Sequence, residues 1–219
     1  MFLVVQSVIA PAEVAVLAEA ARGLVFDDGK KTAGRHAREV KANDQAAPSP
    51  ERDAILARVE RALKENTLFR SAARPKAISP LILSRYRIGQ TYGLHVDDAL
   101  MGGLRTDLSF TLFLADPESY DGGALIVEDP LEARAIKLAA GDMILYPATT
   151  LHQVEAVTRG ERLAVVGWVQ SLIRQGERRE MLFDLDQAVE AVFSSSGKSP
   201  VFDTLVKTRS NLLRMWADT

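Results

Sequence analysis

The chain has 219 residues, of which 47% are hydrophobic and 26% charged, as is usual for a soluble globular protein with a sizeable core. A formal net charge of -2 argues against a general nucleic-acid-binding protein, and the lack of any run of about 18 apolar residues argues against a membrane span. The sequence contains no cysteine, which excludes disulfides and thiolate metal sites and fits the reducing cytoplasm, where we expect the protein to act.

Two helices separated by a polar segment are predicted in the first third of the chain. Residues 2–8 have the pattern of a short strand, and residues 11–22 that of a helix opened by a proline. Residues 27–50 are polar and are predicted to form a long ordered loop or an irregular hairpin. A helix-start pattern at 49–52 then opens a second helix that ends near Asn66. We expect both helices to pack on the outside of a sheet.

Short strands dominate the middle of the chain. Segments rich in β-branched or aromatic residues alternate with turn sequences such as Asp121-Gly122-Gly123 and Glu128-Asp129-Pro130. Strands this short and closely spaced favour a closed or double-sheet antiparallel architecture, and the jelly roll is the best candidate. The predicted strands are 78–88, 104–114, 124–128, 133–138, 142–146, 152–157 and 162–169.

Helical periodicity returns near the end of the sequence, in residues 178–193 and 201–216. We therefore predict an α+β fold with a double-stranded β-helix (jelly roll) core flanked by N-terminal and C-terminal helices. The predicted regions are an N-terminal helical and loop region at 1–77, the jelly-roll domain at 78–175 and a C-terminal helical extension at 176–219.

Two of the three histidines, together with one aspartate, have the spacing of a metal site. His95 and Asp97 are two residues apart on an extended backbone, so their side chains project to the same face. His152 joins them if the intervening strands fold back antiparallel. Two imidazoles and one carboxylate on one face of Fe(II) form a facial triad that leaves coordination positions open. The third histidine, His36, has no carboxylate at ligand spacing and is predicted to be a surface residue.

The pattern of these residues resembles the Fe(II)- and 2-oxoglutarate-dependent dioxygenases. It consists of His95-Val96-Asp97, then His152, then Arg162 ten residues later. The preceding sequence, Tyr86-x-x-Gly-x-x-Tyr-x-x-His95, is similar to that of prolyl and lysyl hydroxylases. Nearly the whole chain resembles the bacterial PKHD-type hydroxylases, through residues 40–43, 105–114, 120–123, 141–142, 146–147, 179–186 and 211–216.

The resemblance implies a set of cofactors and a role for each site residue. The cofactors are Fe(II), 2-oxoglutarate as cosubstrate and dioxygen, with ascorbate as a further candidate reductant. His95, Asp97 and His152 are the implied catalytic residues and iron ligands. Arg162 is implied to bind the distal carboxylate of 2-oxoglutarate, and Tyr86 to help hold it near the metal. The residues themselves support the arginine, because Arg162 begins a strand that is apolar on both faces, where a guanidinium needs an anion.

One position departs from the pattern of animal oxygen-sensing relatives. Phe113 stands where they carry a tyrosine that assists the distal carboxylate, and phenylalanine has no hydroxyl. Arg162 therefore needs another helper, for which Thr111 and Ser109 are the candidates.

The implied reaction is hydroxylation of an unactivated C–H bond, with succinate and carbon dioxide as coproducts. Two alternatives stay open: a cupin-like metal-binding protein, which would need a fuller set of histidines, and a non-catalytic ligand sensor on the same fold. The substrate is either a peptide or protein side chain, prolyl or lysyl by the resemblance, or a small molecule linked to iron metabolism. We expect no nucleic-acid or membrane partner, and a homo-oligomer is left open. The segment 27–50 is expected to form one wall over the mouth of the site.

Overall fold

Five helices and seventeen short strands occur in the computed structural model, which describes residues 1–128 and 133–218. The predicted turn at residues 129 and 130 lies outside this part of the chain. The helices are α1 (Pro11–Arg22), α2 (Pro50–Glu65), α3 (Thr67–Ala73), α4 (Gly176–Ser196) and α5 (Pro200–Trp216). The strands are β1 (Leu3–Val5), β2 (Phe26–Asp28), β3 (Lys41–Ala42), β4 (Asp44–Ala46), β5 (Pro75–Ile78), β6 (Ile82–Tyr86), β7 (Thr91–His95), β8 (Leu100–Met101), β9 (Leu104–Arg105), β10 (Leu108–Phe113), β11 (Asp121–Gly122), β12 (Leu125–Glu128), β13 (Ala133–Ile136), β14 (Met143–Pro147), β15 (His152–Val154), β16 (Val157–Arg159) and β17 (Arg162–Ser171).

Two antiparallel sheets form the core. The major sheet has the order β1-β14-β10-β17-β6-β4-β2, with β5 also paired to β17, and the minor sheet has the order β13-β12-β15-β7-β3. The pairs β11-β16 and β8-β9 form two small ribbons beside them. The chain crosses repeatedly between the sheets, since β6, β10, β14 and β17 of the major sheet alternate along the sequence with β7, β12 and β15 of the minor sheet. This is the jelly-roll core that the sequence predicts.

The two faces of the major sheet have different environments, which the alternation along β10 illustrates. Leu108, Phe110 and Leu112 belong to the buried cluster that contains the helices, whereas Phe113 belongs to a second cluster shared with the minor sheet. Ser109 also lies on the second face and lines the cavity between the sheets. The functional side chains of the major sheet therefore project toward the minor sheet.

Helices α1, α2 and α3 cover the opposite face of the major sheet. They contribute Val14, Ile55 and Phe69 to the large buried cluster. Helix α2 starts where the Ser49 side chain accepts a hydrogen bond from the backbone N–H of Arg52, with a proline in the first turn. These helices hold the sheet rigidly behind the cavity.

Most predicted elements are present, and the differences are local. The sequence did not predict α3 and β5, because neither seven nor four residues show a clear period. The segment 27–50 is an irregular hairpin in which β2 pairs with β4, interrupted by two 3-10 turns and by β3. Residues 1–77 also supply strands to both sheets. The region boundaries at 78 and 176 stay a prediction.

Within the described ranges, no helix has the length and apolar character needed to cross a membrane.

Candidate metal centre

The structure brings His95, Asp97 and His152 together in the cavity between the sheets. His95 ends β7, and His152 begins the adjacent strand β15, directly opposite it in the pairing register. Asp97 follows two residues after β7. One potential ligand atom from each residue lies within 4.8 Å of the other two, and His152 Nε2 is 3.8 Å from Asp97 Oδ1. Three donors therefore converge on one point.

A β-bulge aims His95 into the cavity. His152 pairs with His95 and Val154 with Tyr92, so β7 contains one more residue than β15 over this stretch. The extra residue places Tyr92 and His95 on the same face, and their rings stack with centroids 3.6 Å apart. A Cβ at Gly93 would lie 2.9 Å from the Cβ of Val40, so the close approach of Val40 requires glycine at this position.

Both histidines are oriented through their Nδ1 atoms. His95 Nδ1 lies 2.8 Å from the carbonyl oxygen of Gly93, and His152 Nδ1 lies 3.0 Å from that of Thr150. A carbonyl only accepts, so each Nδ1 donates the hydrogen bond and each Nε2 is the ring atom left to bind a metal. Burial, and then the neighbouring His152, lower the pKa of His95 to about 4. Its ring is thus neutral near pH 7, as a metal ligand must be.

The carboxylate of Asp97 is fixed from the major sheet. The hydroxyl of Ser109 on β10 donates a hydrogen bond of 2.5 Å to Asp97 Oδ2, and Oδ1 is the atom that faces His152. Ser109 therefore orients the carboxylate, and the structure does not support its candidate role as a helper of Arg162.

Arg162 is a buried cation in the wall of the same cavity. It is 1% exposed, and its Nε has no hydrogen-bond partner among the described residues. Nor does any acidic side chain in the described ranges lie within ion-pair distance of it. A buried guanidinium without an anion is costly, so the cavity is built to receive one there.

The surroundings of Arg162 are aromatic. It lies opposite Tyr86 in the β17–β6 register, and its guanidinium carbon is 5.2 Å from the Tyr86 ring centroid and 5.3 Å from that of Phe113. Gly123 makes room for the side chain: a Cβ there would lie 3.3 Å from Arg162 Cδ, and its φ is +63°. The Asp121-Gly122-Gly123 turn therefore also serves the site.

Sequence reasoning gave no role to two further residues of this cavity, which has a volume of about 80 Å³. Lys41 on β3 is 6% exposed and lines the cavity, as does Tyr92. Lys41 lay within a segment matched to the family, but its position in a polar stretch gave no sign of burial. His36 is exposed, as predicted.

The donor set fits Fe(II). Two imidazoles and one carboxylate that approach from one side would leave the other side of a bound ion open to the cavity. Arg162 presents a planar fork suited to a carboxylate at the same cavity. The arrangement can thus hold a ferrous ion together with a dicarboxylate.

Comparisons with known proteins point to one family. A family model described as the 2OG-Fe(II) oxygenase superfamily matches residues 81–170, and one described as the PKHD-type hydroxylase C-terminal domain matches residues 177–218. A PKHD-type hydroxylase of Maricaulis maris is 54% identical over 193 residues, which are 88% of each chain. A PKHD-type hydroxylase of Picosynechococcus sp. is 45% identical over 100% of both chains.

The fold also has a solved counterpart. The collagen prolyl hydroxylase of Paramecium Bursaria Chlorella virus-1, in a complex with 2OG, superimposes with a TM-score of 0.56 and covers 78% of this chain and 96% of the viral chain. At 19% identity this likeness shows the fold alone. The identity to the two bacterial proteins extends over 88% and 100% of the chain, and on that ground the chain belongs to the PKHD-type hydroxylase family and is a 2-oxoglutarate-dependent iron dioxygenase that uses Fe(II), 2-oxoglutarate and dioxygen.

Proposed function

We propose that His95, Asp97 and His152 hold Fe(II), and that Arg162 binds the distal carboxylate of 2-oxoglutarate beside Tyr86. The observation that carries this proposal is the shared cavity: the three convergent donors line the same space as a buried guanidinium that has no carboxylate partner among the described residues. A dicarboxylate that chelates the metal at one end places its other carboxylate against the arginine.

The reaction is hydroxylation of an unactivated C–H bond. One oxygen atom of dioxygen enters the substrate as hydroxyl, and the other enters 2-oxoglutarate, which loses carbon dioxide and becomes succinate. Bound iron would activate dioxygen, which is the oxidant of the reaction. The protein's residues orient the reactants and exclude water: Ser109 fixes Asp97, the two backbone carbonyls fix the imidazoles, and the aromatic rings around Arg162 keep the cosubstrate site dry.

The substrate is a peptide or protein side chain, or a small molecule. The viral structural neighbour is named a collagen prolyl hydroxylase, which favours the first class, whereas the small dimensions of the cavity suit either class of substrate.

A cytoplasmic location, ascorbate as reductant and a homo-oligomer stay expectations. A cupin-like site is not supported, because it would need more histidines than the two that converge here.

Succinate formation tests the proposal. Purified protein is supplied with Fe(II), 2-oxoglutarate and dioxygen, and succinate is measured with and without each component. We expect slow substrate-independent turnover that requires all three and that disappears in Asp97→Ala. If 2-oxoglutarate is not consumed by the iron-loaded wild type, or if the Asp97→Ala protein consumes it equally, the proposed reaction is wrong.

A further inference from the structure

A second buried cation, Lys41, lies in the wall of the same cavity. It sits on β3, the edge strand of the minor sheet, opposite Tyr92 of β7 in the pairing register. Its Nζ donates a hydrogen bond of 3.2 Å to the Thr32 hydroxyl and lies 4.9 Å from the Tyr92 ring centroid. Among the described residues, no carboxylate lies within ion-pair distance of it. Lys41 thus has a neutral hydroxyl and a ring as its neighbours, but no counter-ion in contact.

This placement is unfavourable for the folded protein on its own. An ammonium group carries three donors, of which Thr32 accepts one. Burial lowers the pKa of Lys41 to about 8, while the more distant charges of Asp97 and Asp28 act in the opposite direction. Methionine or leucine at this position would fill the same space without the cost of burying a charge. The cavity lining also includes the exposed carboxylate of Asp98, but among the described residues no carboxylate contacts the buried Lys41.

The cosubstrate does not neutralise it either, a point that rests on the proposed function. The two charges of Fe(II) and the charge of Arg162 match those of Asp97 and of the two carboxylates of 2-oxoglutarate. One of those carboxylates belongs at the metal and the other at Arg162. Arg162 lies in the major sheet and Lys41 in the minor sheet, so the two cations occupy different walls of the cavity. Of the two charged lining residues left over, Asp98 is exposed to solvent, whereas Lys41 is buried and has no counter-ion in contact among the described residues.

We infer that Lys41 binds a carboxylate group of the primary substrate. Its strand lies next to β7, which carries His95, so the bound anion lies beside the metal centre and fixes the orientation of the carbon to be hydroxylated. The exposed Val96 and the partly exposed Met101 also line the cavity and offer apolar contact to the rest of such a molecule. The substrate class is therefore an acid with an apolar portion, either a small molecule or the acidic part of a peptide.

Formate is the probe for this site. The protein is loaded with Zn(II), a redox-inert stand-in for iron, and with N-oxalylglycine, an unreactive analogue of 2-oxoglutarate, so that the metal and Arg162 are already occupied. Saturation transfer from the protein to the formate proton is then titrated by nuclear magnetic resonance. Formamide, a neutral molecule of the same shape, is the matched control ligand.

We expect saturable formate binding in the wild type, with formamide binding at least tenfold weaker. Lys41→Met should weaken formate binding at least tenfold, and Lys41→Arg should retain it. Lys41→Met should also melt at the same or a higher temperature than the wild type, because it removes an uncompensated buried charge. Lys41→Gln serves as a second neutral variant if Lys41→Met does not fold.

Two results would overturn the inference. One is formate binding that is absent, or equal in wild type and the neutral variants, in protein that has bound Zn(II) and N-oxalylglycine. The other is a melting temperature below that of the wild type in both neutral variants. That result would mean that Lys41 stabilises the fold through its hydrogen bond to Thr32. Failure of the proposed function is distinguishable: wild-type protein would then bind neither Zn(II) nor N-oxalylglycine, as measured by metal analysis and calorimetry.

Discussion

Each donor of the metal centre is held by one identifiable partner. The carbonyls of Gly93 and Thr150 set the orientation of the histidine rings, and the Ser109 hydroxyl sets that of the Asp97 carboxylate. Partners of this kind govern metal affinity because they fix both tautomer and geometry before the metal arrives. Their contribution is measurable separately from that of the ligands.

Ser109→Ala should weaken Fe(II) binding by roughly 10–100-fold, the range typical for the loss of a partner that orients a ligand. The alanine leaves Asp97 in place but frees its carboxylate to rotate, so the loss should be smaller than in Asp97→Ala. Ser79→Ala is the matched control, because Ser79 is also buried but accepts its hydrogen bond from the backbone of Trp168. Iron titration of the three variants checks the order. Equal affinity in Ser109→Ala and wild type would show that the hydroxyl is not needed.

Arg162→Ala should raise the requirement for 2-oxoglutarate while leaving iron content near that of the wild type. Truncating one partner of a buried charged pair costs roughly 2–5 kcal/mol, which corresponds to about one and a half to three and a half decades in affinity. Arg162→Lys keeps the charge but loses the two-point geometry. Its requirement for 2-oxoglutarate should therefore lie between those of the wild type and Arg162→Ala. The measurement is succinate formation as a function of 2-oxoglutarate concentration. A folded, iron-loaded Arg162→Ala protein with unchanged cosubstrate dependence would remove the arginine from the site.

Sequence reasoning identified some residues of the site and missed others. It predicted that His95 and Asp97 share a face, from their two-residue spacing on extended backbone, and that His152 joins them if the intervening strands fold back antiparallel, as they do. It could not predict the role of Ser109, because hydroxyl partners depend on the offset between two sheets. Lys41 was missed for a related reason: its burial is produced by long-range pairing with β7, and its local sequence is polar.

At the scale of elements, regular strands were predictable and irregular ones were not. The β-branched and aromatic content of 104–114 and 162–169 predicted the buried strands β10 and β17. The bulge in β7 has no period of its own, yet it determines where His95 points. The segment 27–50 was predicted as a loop or an irregular hairpin because its polar composition hides β3 and β4, whose stability comes from their partners in the two sheets.

Residues 29–40 should become more protected from hydrogen exchange when Fe(II) and N-oxalylglycine are bound. This part of the 27–50 segment places Thr32, Gly34 and Ala37 on the cavity, while its flanking strands are already paired into the sheets. Occupation of the cavity selects closed conformers of such a segment. Mass spectrometry of exchange checks this, with helix α4 as the internal control. Unchanged exchange in 29–40 on binding would argue against a role in closure.

At the scale of the whole molecule, one acidic residue of the C-terminal helices forms a hydrogen-bond network with the preceding helix α3. Asp186 on α4 accepts hydrogen bonds from Arg74, which follows α3, from Arg209 on α5 and from Ser71 on α3. The Asp186 and Arg74 side chains are 15% and 11% exposed. The network therefore connects three helices on the side of the major sheet away from the metal centre.

Asp186→Ala should lower the stability of the protein without altering the metal centre. Removing one partner of a buried ion pair lowers the free energy of unfolding by about 3 kcal/mol at the lower end of the usual range. The lower end applies here because the side chains of Asp186 and Arg74 are still partly exposed to water. For a chain of this size the melting temperature should fall by roughly 6–12 °C. Asp203→Ala is the matched control, since it removes the same side-chain type from α5 at an exposed pair with Lys198 and should leave the melting temperature unchanged.

Calorimetry and iron titration decide between the outcomes. Equal melting temperatures of the two variants would mean that Asp186 does not stabilise the packing of the C-terminal helices. Loss of iron by Asp186→Ala at a temperature where it is still folded would mean that the C-terminal helices support the metal centre directly.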